Sequence, residues 1–176
     1  MDKAVQEFGR VDILINDAAY NKWIPFPQYE DLDLEDWATT LSVNLTGPFL
    51  CSKAVAPIMK RQGQGRIVNI SSIAGLTPSG SSIAYAVSKA ALIHLTRCLA
   101  VALAPEVLVN CVAPGLIEGT RMTESLTPEY QQQARQSALT KRPVDKDDVT
   151  GVLLEFCRTD SITGQTLVVD GGRVFH

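Results

Sequence analysis

The sequence predicts an α/β protein: a three-layer, doubly wound parallel sheet in a single domain spanning residues 1–176. Three observations carry that prediction. Four short runs are apolar along their whole length instead of alternating, which marks strands covered on both faces. Between them lie longer stretches with apolar residues at helical spacing. Each run also stops at a polar or Gly/Pro turn, as a strand feeding a crossover helix does.

The elements follow in order. Met1 to Phe8 reads as the end of a helix, closed by Gly9. Val11-Asp12-Ile13-Leu14-Ile15-Asn16 is the first strand, apolar and β-branched, expected to be buried. A polar and aromatic loop runs from Asp17 to Asp33. Asp33 is an N-cap candidate, with Asp36 reaching back in a weak capping box. The helix it starts runs towards Arg61, with Trp37, Leu41, Leu45 and Phe49 on one face. Gly47-Pro48 predicts a kink in it, and Gly63 and Gly65 end it. Arg66-Ile67-Val68-Asn69-Ile70-Ser71 is the second strand. A loop with Pro78 and Gly80 leads to a second long helix, Ser82 to Leu103. Val107 to Val112 is the third strand, stopped by Pro114-Gly115. Thr127-Pro128 and Asp145 with Asp148 begin two shorter helices. Gln165 to Val169 is the last strand, turned by Asp170-Gly171-Gly172. Right-handed crossovers are expected throughout. Chemistry in such sheets gathers at the carboxyl ends of strands, which singles out Asn16, Ser71-Ser72 and Pro114-Gly115.

Composition narrows the function. Hydrophobic residues make up 45% and charged residues 20%, the balance of a globular protein. A net charge of -3 gives no electrostatic case for nucleic acid or an anionic membrane. The longest unbroken apolar run, near Cys98 to Ala104, is too short to span a bilayer, and the N-terminus has no signal-peptide pattern. A cytoplasmic protein is expected. Cys51, Cys98, Cys111 and Cys157 show no C-x-x-C spacing and only His94 and His176 could join them, so no metal site is expected.

Tyr85-Ala86-Val87-Ser88-Lys89 lies inside the second long helix. Spacing i to i+4 puts the phenol and the ammonium on one face, a turn apart. A nearby ammonium stabilises the phenolate, which lowers the tyrosine pKa towards working pH and suits it to proton transfer with an alcohol or carbonyl. On its own the pair also reads as a solvated surface couple. Ser72, just past a strand end, could donate to a substrate oxygen, or be a turn serine. Asn44, in Val43-Asn44-Leu45-Thr46-Gly47, could bind a loose carbonyl and hold a water, or cap the kink.

Together, in order and spacing, Asn44, Ser72, Tyr85 and Lys89 resemble the Asn-Ser-Tyr-Lys tetrad of the classical short-chain dehydrogenases/reductases. The stretches Ile67 to Ser72, Pro114-Gly115-Leu116-Ile117, and Ile162-Thr163-Gly164-Gln165 through Gly172 are similar to further signatures of that family. The resemblance implies a Rossmann-like fold and hydride transfer between NAD or NADP and a carbonyl or secondary alcohol, as in 3-oxoacyl reductases. It implies that Tyr85 exchanges the proton, Lys89 lowers the Tyr85 pKa and holds the nicotinamide ribose, Ser72 orients the substrate oxygen and Asn44 holds a relay water. Cofactor contacts are implied at Asn16, Ala18, Tyr85, Lys89, Pro114, Gly115, Ile117 and Thr120. A homodimer through the two long helices, or a homotetramer, is implied as well; Leu92, Ile93, Leu95, Leu99 and Leu103 supply apolar surface on the second of them.

The chain departs from the family pattern in places. No G-x-x-x-G-x-G or G-x-G-x-x-G follows any strand, so the first βαβ half that binds the pyrophosphate is expected to be lacking. The 176 residues alone are therefore expected to bind dinucleotide at best in the millimolar range, without steady turnover. Asn16-Asp17-Ala18-Ala19 stands where the family has Asn-Asn-Ala-Gly, which restricts the backbone if Ala19 needs a positive φ. Gly119 stands where the family has a threonine, with Thr120 one position later. Trp23, Ile24, Pro25, Phe26, Met122 and Leu126 favour a partly apolar ketone of small to medium size. The other reading is a catalytically inactive, dimerising fragment that binds no dinucleotide.

Overall fold

The computed structural model describes residues 2–124 and 126–175. Four parallel strands, β1 (Ile13–Asn16), β2 (Gly65–Ile70), β3 (Val107–Pro114) and β4 (Thr166–Val169), form one sheet in the order β1-β2-β3-β4. The helices are α1 (Asp2–Phe8), α2 (Leu34–Leu41), α3 (Gly47–Gln62), α4 (Ile83–Leu103), α5 (Arg121–Glu124), α6 (Pro128–Ser137) and α7 (Lys146–Arg158).

The apolar strands are sandwiched as their pattern requires. On one face Ile67, Val107 and Val109 pack with Val55 and Met59 of α3 and Ala100 of α4. On the other, Val68 and Val112 pack with Val149 and Phe156 of α7. Each fully buried Val or Ile side chain contributes about 1.5–3 kcal/mol, so these two clusters dominate the stability. The strands advance across the sheet in one direction, yet α7 covers the face opposite α3 and α4. The crossover from β3 to β4 therefore has the opposite hand to the two before it, against the expectation of a single hand.

Other local expectations shift for identifiable reasons. β1 pairs only with β2, so it is an edge strand, and Ile13 and Ile15 are 46% and 43% exposed instead of buried. Asp33 caps α2 by accepting from the Asp36 backbone N–H at 2.7 Å, but the Asp36 carboxylate pairs with Lys22 and so does not complete the box. The predicted long helix is broken by a π-helical turn, Ser42–Thr46, immediately before Gly47-Pro48. Gly65 opens β2 instead of ending a helix. The loop after β1 contains a 3₁₀ segment, Phe26–Asp31. Among the described residues Lys141 is the only non-glycine with a positive φ, so Ala19 is unstrained.

Helix α4, with 21 residues, is long and apolar enough by composition to cross a membrane. Here it packs along the sheet with Ser88, Lys89 and Thr96 buried. Its Leu92 and Ile93 are buried too, and Leu99 and Leu103 pack on the core. The exposed apolar side chains are others: Val87 and Val101 on α4, Phe49 and Leu50 on α3.

Candidate active site

The carboxyl ends of β2 and β3 and the first turns of α4 border one open cleft. Ser82 caps α4, accepting from the Tyr85 N–H at 3.2 Å, which fixes Tyr85 in the first helical turn and Lys89 one turn on. Ser72 follows β2 and caps a single 3₁₀ turn, Ile73–Gly75. That turn lies directly against α4: a Cβ on Gly75 would sit 2.7 Å from the Lys89 carbonyl carbon. Ser71 ties the two segments from the other side, its hydroxyl donating to the Lys89 carbonyl at 2.8 Å. Ser72 and Tyr85 thus line the same cleft, although thirteen positions separate them in the chain.

The electrostatics differ from the simple pairing expected from the sequence. Burial pushes the Tyr85 phenol up to about 12, and the Ser72 hydroxyl beside it pulls only partly the other way. Lys89 is 2% exposed, and burial brings its ammonium down to about 8, with Cys111 and Asp17 opposing. Its Nζ donates to the Ile70 carbonyl at 2.7 Å and stands 5.7 Å from the Tyr85 ring centre. Tyr85 therefore holds its proton through the neutral range, the state a proton donor to a carbonyl needs.

Asn44 is fully buried in the π turn. Its Nδ2 donates to the Tyr20 carbonyl at 2.9 Å and the Ser88 hydroxyl at 3.0 Å, and its Oδ1 accepts from the Tyr20 N–H at 2.7 Å. Ser88 in turn donates to the Tyr85 carbonyl at 2.7 Å. Both amide donors are spent, so the side chain clamps the post-β1 loop to α4 beneath Tyr85.

The remaining sequence candidates divide into two groups. Pro114 ends β3 and Gly115 lines the cleft, its N–H bonded to the Val169 carbonyl at 2.9 Å. Ala18 is exposed on the loop past β1. Asn16, by contrast, donates to Asn69 at 2.8 Å, and Asn69 donates to Thr96 on α4 at 2.9 Å, a buried chain across the sheet. Ile117 bridges to Val144, and the Thr120 hydroxyl is engaged with Thr123 at 3.0 Å at the start of α5. Met122 and Leu126 line the cleft, with the Met122 sulfur 3.5 Å from the Tyr85 oxygen. Ile24 is buried, Phe26 packs on the cluster containing Tyr85, and Trp23 meets Tyr130 edge-on at 5.1 Å. Residues that sequence reasoning missed also border the cleft: Asn21, Ser81, Tyr130 and Arg173. They come from four separate segments, and no local pattern announces their meeting. The turn at Asp170-Gly171-Gly172 was legible, but not what it aims into the cleft.

Comparison with known proteins places the chain in a family. The sequence profile of a family described as "Enoyl-(Acyl carrier protein) reductase" matches residues 1–173. The human protein named "Dehydrogenase/reductase SDR family member 4" is 40% identical over 174 residues, covering 96% of this chain and 62% of its own length. The 3-oxoacyl-[acyl-carrier-protein] reductase FabG of Thermotoga maritima is 38% identical over 181 residues, covering 99% of this chain and 70% of its own. The crystal structure of a gluconate 5-dehydrogenase from Burkholderia cenocepacia J2315, in complex with NADP and tartrate, superposes with a TM-score of 0.90 at 29% identity, over 98% of this chain and 68% of that one. The chain thus spans roughly two thirds of the length of these relatives. With the profile match over nearly every residue and relatives this similar over nearly the whole of this chain, the chain belongs to the short-chain dehydrogenase/reductase family of NAD(P)-linked oxidoreductases.

Proposed function

We propose that this chain carries the proton-transfer site of an NAD(P)-dependent reductase for small carbonyl compounds, working between a ketone and its secondary alcohol. The observation that supports it most is the convergence of the Tyr85 and Ser72 hydroxyls on one cleft, with buried Lys89 a turn behind Tyr85. In the reduction direction Ser72 orients the carbonyl oxygen and Tyr85 Oη gives it a proton. Lys89 is anchored to the Ile70 carbonyl, and Asn44 ties the loop after β1 to α4.

The donor set fits the nicotinamide–ribose half of a dinucleotide. Lys89 spends one N–H on Ile70 and keeps two. Tyr85, Lys89, Pro114 and Gly115, with the backbone around Asn16, Ala18, Ile117 and Thr120, are the groups that would hold it. The bound cofactor supplies the hydride; the protein supplies position and the proton. No glycine-rich strand-to-helix turn occurs in these residues to hold the pyrophosphate. A cytoplasmic homodimer through α3 and α4, or a tetramer, completes the proposal; the exposed Phe49, Leu50, Val87 and Val101 support it.

The test is endpoint reduction of a panel of ketones by NADH and NADPH at millimolar concentration, with Tyr85→Phe alongside. Ketone reduction that Tyr85→Phe abolishes is expected. Reduction that survives in Tyr85→Phe would remove the assignment.

A further inference from the structure

Most of the cleft around Tyr85 is lined by apolar and hydroxyl-bearing groups, but one wall carries a cation. Arg173 lines it together with Tyr85, Ser72, Met122 and Tyr130. Its backbone is held firmly. Asp170 accepts from the Gly172 N–H at 2.8 Å with one carboxylate oxygen and from the Val174 N–H at 2.7 Å with the other. The carboxylate nearest to Arg173 in sequence is thus committed to the turn. Gly171 and Gly172 both take left-handed backbone, and the Gly171 carbonyl accepts from the Thr140 N–H at 3.1 Å, pinning the turn to the segment after α6. Arg173 is half-buried and makes no ion pair with a carboxylate among the described residues.

A guanidinium presents a planar fork of five N–H donors that matches a carboxylate bidentately. In a cleft that a substrate fills and partly dries, such a charge favours a ligand bringing its own anion and disfavours a neutral one that leaves it uncompensated. Asn21, with Ser81 hydrogen-bonded to it, adds polar groups on the same lining. We infer that the substrate of this site is a keto acid: a ketone whose oxygen meets Ser72 and Tyr85 while its carboxylate pairs with Arg173. This rests on the reading of the cleft as the carbonyl site and narrows its substrate class.

The experiment measures binding separately from turnover. Saturation-transfer NMR on the purified protein compares 4-oxopentanoate and 5-oxohexanoate with their methyl esters, in wild type, Arg173→Gln and Arg173→Lys. The acids should bind at least about tenfold more tightly than the esters, as a charge-assisted pair implies. Arg173→Gln should erase that ratio and leave ester binding unchanged, and Arg173→Lys should keep part of it. Equal binding of acid and ester by wild type, no binding of either, or an undiminished ratio in Arg173→Gln overturns the inference. So does an Arg173→Gln defect confined to NADP(H) affinity, which would assign the guanidinium to the cofactor's phosphates. Acid-selective binding without any Tyr85-dependent reduction would uphold the inference and defeat the catalytic reading instead.

Discussion

Tyr85 and Lys89 hold opposite electrostatic positions, and each makes a distinct prediction. Proton transfer by a positioned side chain is commonly worth about 10²–10⁴-fold, so with a complete cofactor site Tyr85→Phe should lower turnover by at least about 100-fold while leaving cofactor affinity largely intact. In that same form Ser72→Ala should act mainly on turnover, and Lys89→Ala on both turnover and the cofactor's KM; steady-state kinetics separates the three. Lys89 also gives a pH signature in stability. Its folded pKa of about 8 lies below the ordinary lysine value of about 10.4, so burial penalises the charged form. That penalty is complete below the folded pKa and vanishes as pH rises to the ordinary value. Wild type should therefore gain stability relative to Lys89→Met between those two values, read as the difference in Tm at successive pH. A constant difference would mean that Lys89 is not burdened by burial. Of these residues, the Tyr85–Lys89 pair was legible from the i to i+4 spacing. The direction of the Tyr85 shift was not, because it depends on how deeply α4 is buried and on Lys89 turning towards the Ile70 carbonyl. The clamp that Asn44 makes was not legible, since its partner Tyr20 comes from a distant loop.

Among the elements, the contact between the 3₁₀ turn after Ser72 and helix α4 sets the geometry of the site. Gly75→Ala places a Cβ against α4 backbone, at 2.8 Å from the Ala90 nitrogen as well as against Lys89. It should cost about 1–3 kcal/mol of stability and reduce activity by pushing Ser72 away from Tyr85. Chemical denaturation with parallel kinetics checks it, and unchanged values in both would show that the turn has slack. Helices α3 and α4 carry the second prediction at this scale. Val101 is 86% and Leu50 54% exposed, an apolar face that a second subunit would cover. Light scattering should find a dimer or larger, and Leu50→Glu with Val101→Glu should reduce its size without altering the far-UV spectrum. A wild-type monomer would contradict the proposed assembly. The strands and long helices were readable because burial on two faces leaves continuous apolar runs. The π turn and the 3₁₀ segment at Phe26–Asp31 were not, because neither leaves a periodic signal in so few residues.

For the whole molecule, the sheet presents β1 as an edge with Ile13 and Ile15 exposed, and the proposed cofactor contacts all belong to the nicotinamide side. A pyrophosphate cradle offers several charge-assisted hydrogen bonds worth about 1.5–3 kcal/mol each, so its absence weakens binding by orders of magnitude. Isothermal titration of these 176 residues should give dissociation constants for NAD(H) and NADP(H) in the millimolar range; a micromolar value would show that other groups supply the pocket. The overall class of the fold followed from the pattern of apolar runs. The hand of the last crossover and the arrival of Arg173 in the cleft did not, because both depend on how distant segments pack. The central claim is that Tyr85 delivers the proton when a hydride reaches a ketone. It is tested most directly by endpoint transfer of deuterium from 4-deuterated NADH and NADPH, at millimolar concentration, to the carbinol carbon of a keto acid, comparing wild type with Tyr85→Phe. Deuterated alcohol is expected from wild type, with a loss of at least about 100-fold in the variant. Equal label from both proteins would contradict it.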